Sequence, residues 1–324
     1  MTNVTNITNI TKMTNLTTMT DDQAMSVLQS NGRSFYFASR LLTPTHRARA
    51  ARLYAFCRFV DDIADETADQ GQAAAELDEI KAAIRAGHSH EPCVTNMLSL
   101  MQEASIPQEP VMALIDGVRS DVRLVSIRSE AELVRYAYQV AGTVGLMMSM
   151  LLDVHDRDAW PFAIDLGIAM QLTNIARDVG EDAQKGRIYL PSTWIGEVNV
   201  GDVGSPDDAT AATLRQGTQR VLTLAEDYYK SGLSGVGYLP GSARYGIVVA
   251  AMVYREIGQV IAEMDYQTWG ARAVVPHARK LMCASKALTG HAIHNFANSG
   301  GVIHDGRLHE HLQDCFGADT AALA

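Results

Sequence analysis

The chain has 324 residues, of which 47% are hydrophobic, and it carries a formal net charge of −10. This composition supplies enough apolar material for one large core or two ordinary ones, so extensive disorder is not expected. Because no run of Lys or Arg accompanies the acidic balance, it argues against a general nucleic-acid binder, which needs a basic stripe to neutralise phosphates.

The first twenty residues repeat a Thr-Asn-x unit. They lack both the basic region and the continuous apolar region of a secretory signal, so we predict a disordered low-complexity tail over 1–20. Four cysteines occur in the chain without CxxC spacing, and we expect free thiols in a reducing compartment. They are Cys57, Cys93, Cys283 and Cys315.

From Asp21 onward, good helix formers dominate and apolar residues recur at spacings of three and four. No sustained alternation of β-branched residues is present, so we predict an all-α fold without strands, with about ten helices. The helices are expected to form a single large domain over 21–310, followed by a frayed C-terminus over 311–324. The longest apolar run, which begins at Val140, is too short and too rich in glycine to span a bilayer, which takes roughly 20 residues.

The first acidic segment reads CRFVDDIADE and follows the apolar start of a predicted helix. At 100° per residue, one face of this helix, about 60° wide, carries four polar residues: Tyr54, Arg58, Asp61 and Asp65. Asp62 falls at the margin of this face. By itself the pattern also fits a plain solvated face.

The second acidic segment reads AMQLTNIARDVGEDAQKGRIYLP. On a continuous helix, four polar residues fall within about 80° of one another: Gln171, Asn174, Asp178 and Asp182. Because the residues around them are apolar, an unpaired charge here would be costly, and a cation is expected between the two acidic faces. Neighbouring Arg and Lys side chains could supply it, but oxygen ligands from carboxylates and an amide suit Mg²⁺.

Acidic and basic side chains side by side indicate chemistry on a diphosphate. Carboxylates hold Mg²⁺, Mg²⁺ and Arg or Lys hold the diphosphate, and the positive charge makes it a better leaving group. Loss of diphosphate from an allylic carbon leaves a carbocation, which needs a dry pocket. The small residues of the segment 136–145 could leave room for a long chain or could pack helices closely, and both interpretations stay open.

At these residues the sequence resembles the squalene and phytoene synthase family, all-α enzymes that join two prenyl diphosphates head to head. Five blocks carry the resemblance: SNGRSFYFASRLL from Ser30, LYAFCRFVDDIADE from Leu53, YAYQVAGTVGLMM from Tyr136, QLTNIARDVGEDAQKGRIYLP from Gln171, and more weakly VYREIGQVI from Val253. It implies an isoprenoid synthase type of helical domain with a central cavity.

The resemblance also implies roles for individual residues. The implied metal ligands, for Mg²⁺ or Mn²⁺ in its place, are Asp61, Asp65, Asn174, Asp178 and Asp182; these four aspartates with Arg58 and Tyr54 are the implied catalytic residues. The implied diphosphate contacts are Asn31, Gly32, Arg33, Ser34, Tyr54, Arg58, Arg177 and Tyr254, with Lys185, Arg187 and Arg272 as weaker candidates. The implied substrate-chain contacts are Phe35, Tyr136, Val140, Gly145 and Gln171. Family members often have serine where this chain has Gly32.

Within the family, SFYFASRLL and VAGTVGLMM look most like the bacterial phytoene synthases. The implied reaction joins two geranylgeranyl diphosphates through prephytoene diphosphate to phytoene, the first step of carotenoid biosynthesis, without NADPH. A squalene or dehydrosqualene synthase using farnesyl diphosphate is the alternative, and a non-catalytic helical assembly factor is a further one. We expect a cytoplasmic protein that contacts the inner face of the membrane peripherally, because the product is insoluble in water.

Several other polar residues have ordinary interpretations. Asp116 and Asp121 lie on a predicted helix before the Tyr136 block, where they could form a solvated face or line the mouth of a cavity. The histidines near the C-terminus lack partner cysteines and are expected at the surface. They are His291, His294, His309 and His311.

Overall fold

A computed structural model of the chain describes residues 19–123, 125–288 and 302–318. The α-helices in this part are α1 (Asp21–Asn31), α2 (Arg33–Ser39), α3 (Pro44–Glu66), α4 (Gln70–Ala86), α5 (Pro92–Glu103), α6 (Gln108–Ser120), α7 (Glu130–Ala137), α8 (Thr143–Leu151), α9 (Trp160–Arg177), α10 (Val179–Gln184), α11 (Ser192–Ile195), α12 (Val200–Val203), α13 (Asp208–Ser234), α14 (Gly241–Glu263) and α15 (His277–Leu288). A π-helical turn (Tyr138–Gly142) joins α7 to α8, and 3₁₀ turns cover Arg157–Ala159, Gly235–Tyr238 and Gly306–His309.

The predicted all-α class is confirmed, although the prediction of no strands is wrong in one place. Two short strands, β1 (Val125–Ser126) and β2 (Arg187–Ile188), pair in parallel with Val125 opposite Arg187. A glycine with a positive φ of 78°, Gly186, turns the chain immediately before β2. The helices also outnumber the predicted ten, because shorter helices and breaks divide the long helical segments. The domain limits at residues 20 and 310 stay predictions, and residues 1–18 lie outside the described residues.

Helix α3 shows how local sequence sets the elements that carry the site. Thr43 accepts a hydrogen bond from the backbone N–H of His46, and Pro44 occupies the first turn, where its missing N–H costs nothing. The helix then continues for 23 residues. Its apolar face buries Phe56 and Val60 in the core, so its polar face is turned the other way.

Helix α9 runs through the centre of the core and packs against α8, α13 and α14. A Cβ placed on Gly145 of α8 would lie 2.1 Å from the Ala163 carbonyl oxygen of α9, and one on Gly167 of α9 would lie 2.2 Å from the Ala141 carbonyl oxygen. Only glycine permits such a backbone approach. The sequence left two interpretations open for the small residues of 136–145, and close helix packing is therefore one of their uses.

Helix α14 is, within the described residues, the one helix long and apolar enough to cross a membrane by length and composition alone. Half of its most apolar 18-residue window is buried inside the protein. Val248, Val253 and Ile261 of this helix are fully buried. The apolar character of α14 is thus that of a core helix.

Residues 302–318 fold back onto the outer side of α7–α9. Tyr138 donates a hydrogen bond to the carbonyl of Phe316 at 2.9 Å, and the Phe316 ring lies 5.5 Å from that of Trp160. Leu312 is fully buried. The prediction that His309 lies at the surface is wrong, because only 4% of it is exposed; His291 and His294 lie outside the described residues. The four cysteines are free, as predicted.

Candidate active site

A cavity of about 610 Å³ lies between α3 and α9, closed at its sides by α1, α2, α6, α8 and α14. Its lining extends from Phe162, near the start of α9, to Asp178, just beyond the end of α9. A rise of about 1.5 Å per residue places these two positions about 24 Å apart. The C-terminal ends of α3 and α9 contribute acidic and basic side chains, whereas their earlier turns contribute mostly apolar ones. The cavity is therefore long, with one charged end.

Most of the residues predicted from sequence line this cavity. They are Asn31, Phe35, Tyr54, Arg58, Asp61, Asp65, Tyr136, Val140, Gly145, Gln171, Asn174, Arg177, Asp178, Asp182, Lys185, Arg187, Tyr254 and Arg272. The fold thus brings together residues that are up to about 240 positions apart in the chain, from all five blocks.

Three predicted diphosphate contacts, Gly32, Arg33 and Ser34, lie at the start of α2 and outside the cavity lining. Gly32 packs under the ring of Tyr54, and a Cβ at this position would lie 2.9 Å from Tyr54 Cζ. A serine here would therefore require Tyr54 to shift. The diphosphate role of these three residues stays a prediction.

The acidic face of α3 is partly paired. Asp65 accepts hydrogen bonds from Lys185 Nζ at 2.7 Å and Arg187 Nη1 at 2.6 Å. Burial would raise the pKa of Asp65, but these hydrogen bonds outweigh burial and lower it. Asp61 lines the cavity and is exposed to solvent there. The surrounding protein nevertheless reduces its hydration and raises its pKa to about 7, with repulsion from Asp65 adding to the rise against the opposing effect of Arg58.

Asp62, whose side chain is at the margin of the α3 stripe, forms an ion pair with Arg58 one turn earlier. Asp62 does not line the cavity, whereas Arg58 does. The Asp62 carboxylate therefore holds the Arg58 guanidinium at the cavity wall from the side that does not line the cavity.

The second acidic segment is not one continuous helix, contrary to the prediction. Helix α9 ends at Arg177, Asp178 forms the junction (φ −104°, ψ 17°), and Asp182 belongs to α10. Helix α10 passes so close to the chain at Trp269 that a Cβ on Gly180 would lie 2.5 Å from the Trp269 carbonyl oxygen. This tertiary approach accompanies a change of helix direction that the helical periodicity does not reveal.

At this junction the carboxylates are again unevenly paired. Asp178 accepts hydrogen bonds from Arg177 Nε at 2.8 Å and contacts Arg272 Nε at 3.0 Å. Among the described residues Asp182 has no such partner, and burial, with repulsion from Asp178, raises its pKa to about 8 although Lys185 opposes the rise. The buried Oδ1 atom of Asn174 has no hydrogen-bond partner within the part of the chain that the structure describes.

These donors fit a divalent cation bound by oxygen atoms. Carboxylates on two facing segments resist ionisation without a counter-charge, and a buried amide oxygen lacks a donor, which costs free energy unless a ligand completes it. Hard divalent cations take such oxygen ligands. The residues that would hold the cation are Asp61, Asp65, Asn174, Asp178 and Asp182.

Asp121, for which the sequence left open a solvated face or the mouth of a cavity, lines the cavity. It follows the end of α6 and accepts hydrogen bonds from Tyr136 Oη at 2.7 Å and Tyr189 Oη at 2.8 Å. The two phenol rings stack with centroids 4.7 Å apart. Burial raises the pKa of Asp121 to about 6 although both phenols donate to it. Sequence reasoning missed Tyr189; its position two residues after Arg187, within the second acidic block, was the available signal.

An all-α fold around a long apolar cavity with an acidic end is the architecture of helical prenyltransferases. A sequence profile of the squalene/phytoene synthase family matches residues 28–279. The chain belongs to that family.

Relatives within the family are similar over most of their length. The phytoene synthase of Cereibacter sphaeroides is 33% identical over 300 residues, covering 87% of this chain and 83% of the relative. The phytoene synthase of Rhodobacter capsulatus is 35% identical over 269 residues, covering 81% and 79%. Among solved structures, a dehydrosqualene synthase in complex with a ligand superposes with a TM-score of 0.70 at 28% identity, covering 82% of this chain and 94% of the other.

Proposed function

We propose that this protein condenses two geranylgeranyl diphosphates head to head through prephytoene diphosphate to phytoene, the first step of carotenoid biosynthesis. The observation that carries the proposal is the cavity, which extends about 24 Å between Phe162 and Asp178 and joins an acidic and basic end to a mostly apolar remainder. Similarity to curated phytoene synthases of two bacteria supports the choice of product.

The charged end would bind the diphosphates. Mg²⁺, with Mn²⁺ as a substitute, bound by the five oxygen ligands would neutralise charge on the leaving diphosphate. Arg58, Arg177 and Arg272 line the same end and offer planar donor groups suited to phosphate oxygens. Ion pairs with Asp62 and Asp178 hold these guanidiniums in place before substrate arrives.

The apolar length would hold the prenyl chains and keep water from the allylic cation. Val140, Val144, Met148 and Leu166 are among the residues that form this wall. At the junction of the charged and apolar parts, the Tyr136 ring, oriented by its hydrogen bond to Asp121, offers an aromatic face to a passing cation. Because this wall excludes water, water cannot add to the allylic cation and convert it to an alcohol.

A second candidate is dehydrosqualene or squalene synthesis from farnesyl diphosphate. The superposition with a dehydrosqualene synthase at a TM-score of 0.70 and 28% identity favours it. A non-catalytic assembly role is less consistent with the site, because all five oxygen ligands and the adjacent arginines line one cavity.

A product assay tests the proposal. Purified protein is incubated with Mg²⁺ and either geranylgeranyl or farnesyl diphosphate, with and without NADPH, and the hydrocarbons are extracted. We expect a forty-carbon phytoene from geranylgeranyl diphosphate that does not depend on NADPH. A thirty-carbon product formed in preference would establish the second candidate, and no hydrocarbon from either substrate would refute both.

We further propose that the protein works in the cytoplasm, in peripheral contact with the inner face of the membrane. Exposed apolar side chains on and beside α15 support this location: Val274 is 68% exposed, Leu281 54% and Met282 44%. Flotation with lipid vesicles checks it. Failure of the wild type to float, or equal flotation of a Leu281→Ser/Met282→Ser variant, would contradict the proposal for this surface.

A further inference from the structure

A second cluster of ligand-type side chains lies behind the cavity wall, on the opposite face of α9. Asp165 is about 180° from Asn174 around the helix and is fully buried. His304 Nε2 lies 2.8 Å from Asp165 Oδ2, and His309 Nε2 lies 2.7 Å from Asp165 Oδ1. Ser231 of α13 donates a hydrogen bond to the same carboxylate. Neither the fold class nor the proposed reaction uses this cluster.

The hydrogen bond on the far side of His309 fixes which ring nitrogen carries a proton. Its Nδ1 lies 2.7 Å from the carbonyl oxygen of Ala318, which can only accept, so Nδ1 must be the donor. In a neutral imidazole, Nε2 then carries a lone pair instead of a proton. It faces a carboxylate oxygen of Asp165 that also carries lone pairs. At 2.7 Å the contact is favourable if a proton lies between the two atoms. A metal ion bound at about 2 Å to each atom would also make it favourable, but only after the two atoms move apart by roughly half an ångström.

Two features favour a metal ion at this place. The nitrogen and oxygen atoms of Asp165, His304 and His309 all lie within 4.8 Å of one another, within reach of one central ion. A metal-bound histidine commonly donates its other ring N–H to a backbone carbonyl, which is the arrangement of His309 and Ala318. Burial would raise the pKa of Asp165, but the two histidines lower it, so the carboxylate is ionised and available as a ligand.

We propose that Asp165, His304 and His309 form a structural site for a divalent transition metal, with Zn²⁺ as the expected ion. Two imidazole nitrogens and one carboxylate suit Zn²⁺, whereas Mg²⁺ prefers oxygen ligands alone. Binding displaces a proton from His309 wherever Nε2 carries one, so metal uptake becomes weaker as the pH falls. The acidic cavity and the histidine cluster would then select different cations on the two faces of one helix.

The location gives the site a structural role. His304 and His309 belong to residues 302–318, and Asp165 belongs to the helix whose other face lines the cavity. The metal would fasten this C-terminal segment to α9. The His304 ring also packs edge-on against Phe162, a cavity-lining residue, at 5.3 Å between centroids. Loss of the metal should therefore loosen the wall at the apolar end of the cavity.

Metal analysis of the untagged full chain, grown with added Zn²⁺ and dialysed without chelator, tests the proposal. We expect about one Zn²⁺ per chain in the wild type and its loss in His304→Ala and His309→Ala. Two matched controls should keep it: His311→Ala, which removes a neighbouring histidine outside the cluster, and Asp178→Asn, which removes a cavity carboxylate. Chelator treatment should lower the melting temperature of the wild type but not that of His304→Ala.

Co²⁺ substitution in the wild type gives a second measurement that needs no variant to fold. A four-coordinate site with nitrogen ligands gives strong visible absorption, whereas six oxygen ligands give weak bands. Strong absorption that Asp178→Asn retains supports the proposal. Zn²⁺ lost from Asp178→Asn but kept in His304→Ala would assign the metal to the cavity and overturn it. Absence of retained Zn²⁺ together with weak Co²⁺ bands would show that a proton bridges His309 and Asp165 instead.

Discussion

Helix α9 carries an acidic site on each of two opposite faces. The open site is the set of carboxylates at the cavity, and the closed site is Asp165 with His304 and His309. The two sites differ in how completely their polar atoms are hydrogen-bonded within the protein. Asp165 is fully buried and both of its oxygens have partners in the chain. At the cavity, Asn174 Oδ1 lacks a partner among residues 19–123, 125–288 and 302–318, and Asp182 keeps a raised pKa of about 8 because burial removes its hydration and Asp178 repels it. Incomplete hydrogen bonding at the cavity marks a place where a ligand must complete the structure. Around Asp165 the partners include two histidines of the segment 302–318, so this cluster joins that segment to α9, with a proton or the proposed metal ion between His309 and Asp165.

The largest expected effect comes from removing a cavity carboxylate. Asp61→Asn and Asp178→Asn should each lower turnover by at least roughly 10²–10³-fold, because charge stabilisation at the leaving diphosphate is lost. Asp61→Asn should not lower the melting temperature, since burial already disfavours the charged form of Asp61. Turnover of purified variants and thermal unfolding are the measurements.

Asp116→Asn is the matched control, because this aspartate pairs with Lys81 outside the cavity lining. It should keep full turnover. Full turnover of Asp61→Asn or Asp178→Asn would instead contradict the assignment of the open site.

Removing the carboxylate of the closed site should instead lower the stability of the protein. Asp165→Asn removes the charge that two buried histidines face, and breaking a buried pair costs about 3–5 kcal/mol of unfolding free energy. Denaturant titration measures the loss. Asp305→Asn is the control, because Asp305 binds the exposed Arg307 and should contribute little. Similar small losses in both variants would mean that Asp165 does not fasten the segment.

The contact between α8 and α9 decides which face of α9 turns toward the cavity, so it should affect both sites. Gly145→Ala places a methyl group 2.1 Å from the Ala163 carbonyl oxygen, and backbone cannot move aside cheaply. We expect a destabilisation of about 1–3 kcal/mol, as for other overpacked sites, with reduced turnover. Gly201→Ala meets open space and should change neither quantity. Unchanged unfolding of Gly145→Ala would show that the helices separate easily.

The open site was more predictable from sequence than the closed one, and the reason is local spacing. Tyr54, Arg58 and Asp61 share a face because helical periodicity orders residues a turn apart, and family blocks surround them. Asp165 and His309 are 144 positions apart and meet only because the segment 302–318 packs against α9, which no periodic pattern encodes. The break at Asp178 and the placement of Asp121 also depend on tertiary packing.

The smallest expected effect is a pH dependence in which the stability of the protein and its turnover change in opposite directions. The pKa values of Asp121, Asp61 and Asp182 are raised to about 6, 7 and 8, chiefly by burial. Between the unfolded value of about 3.9 and these folded values, the folded state binds more protons, so the unfolding free energy rises as the pH falls through this window. Protonated carboxylates cannot hold a cation, so turnover should fall over the same range.

Metal-free protein tests this opposition, because a bound cation would keep the carboxylates ionised. Its melting temperature should rise modestly from pH 8 to about pH 6 while turnover with Mg²⁺ declines. An Asp61→Asn/Asp182→Asn double variant should show a flatter melting profile, since two of the three titrating groups are gone. If the double variant kept the full wild-type slope, groups other than Asp61 and Asp182 would set the dependence, and the role given to these two carboxylates would be wrong.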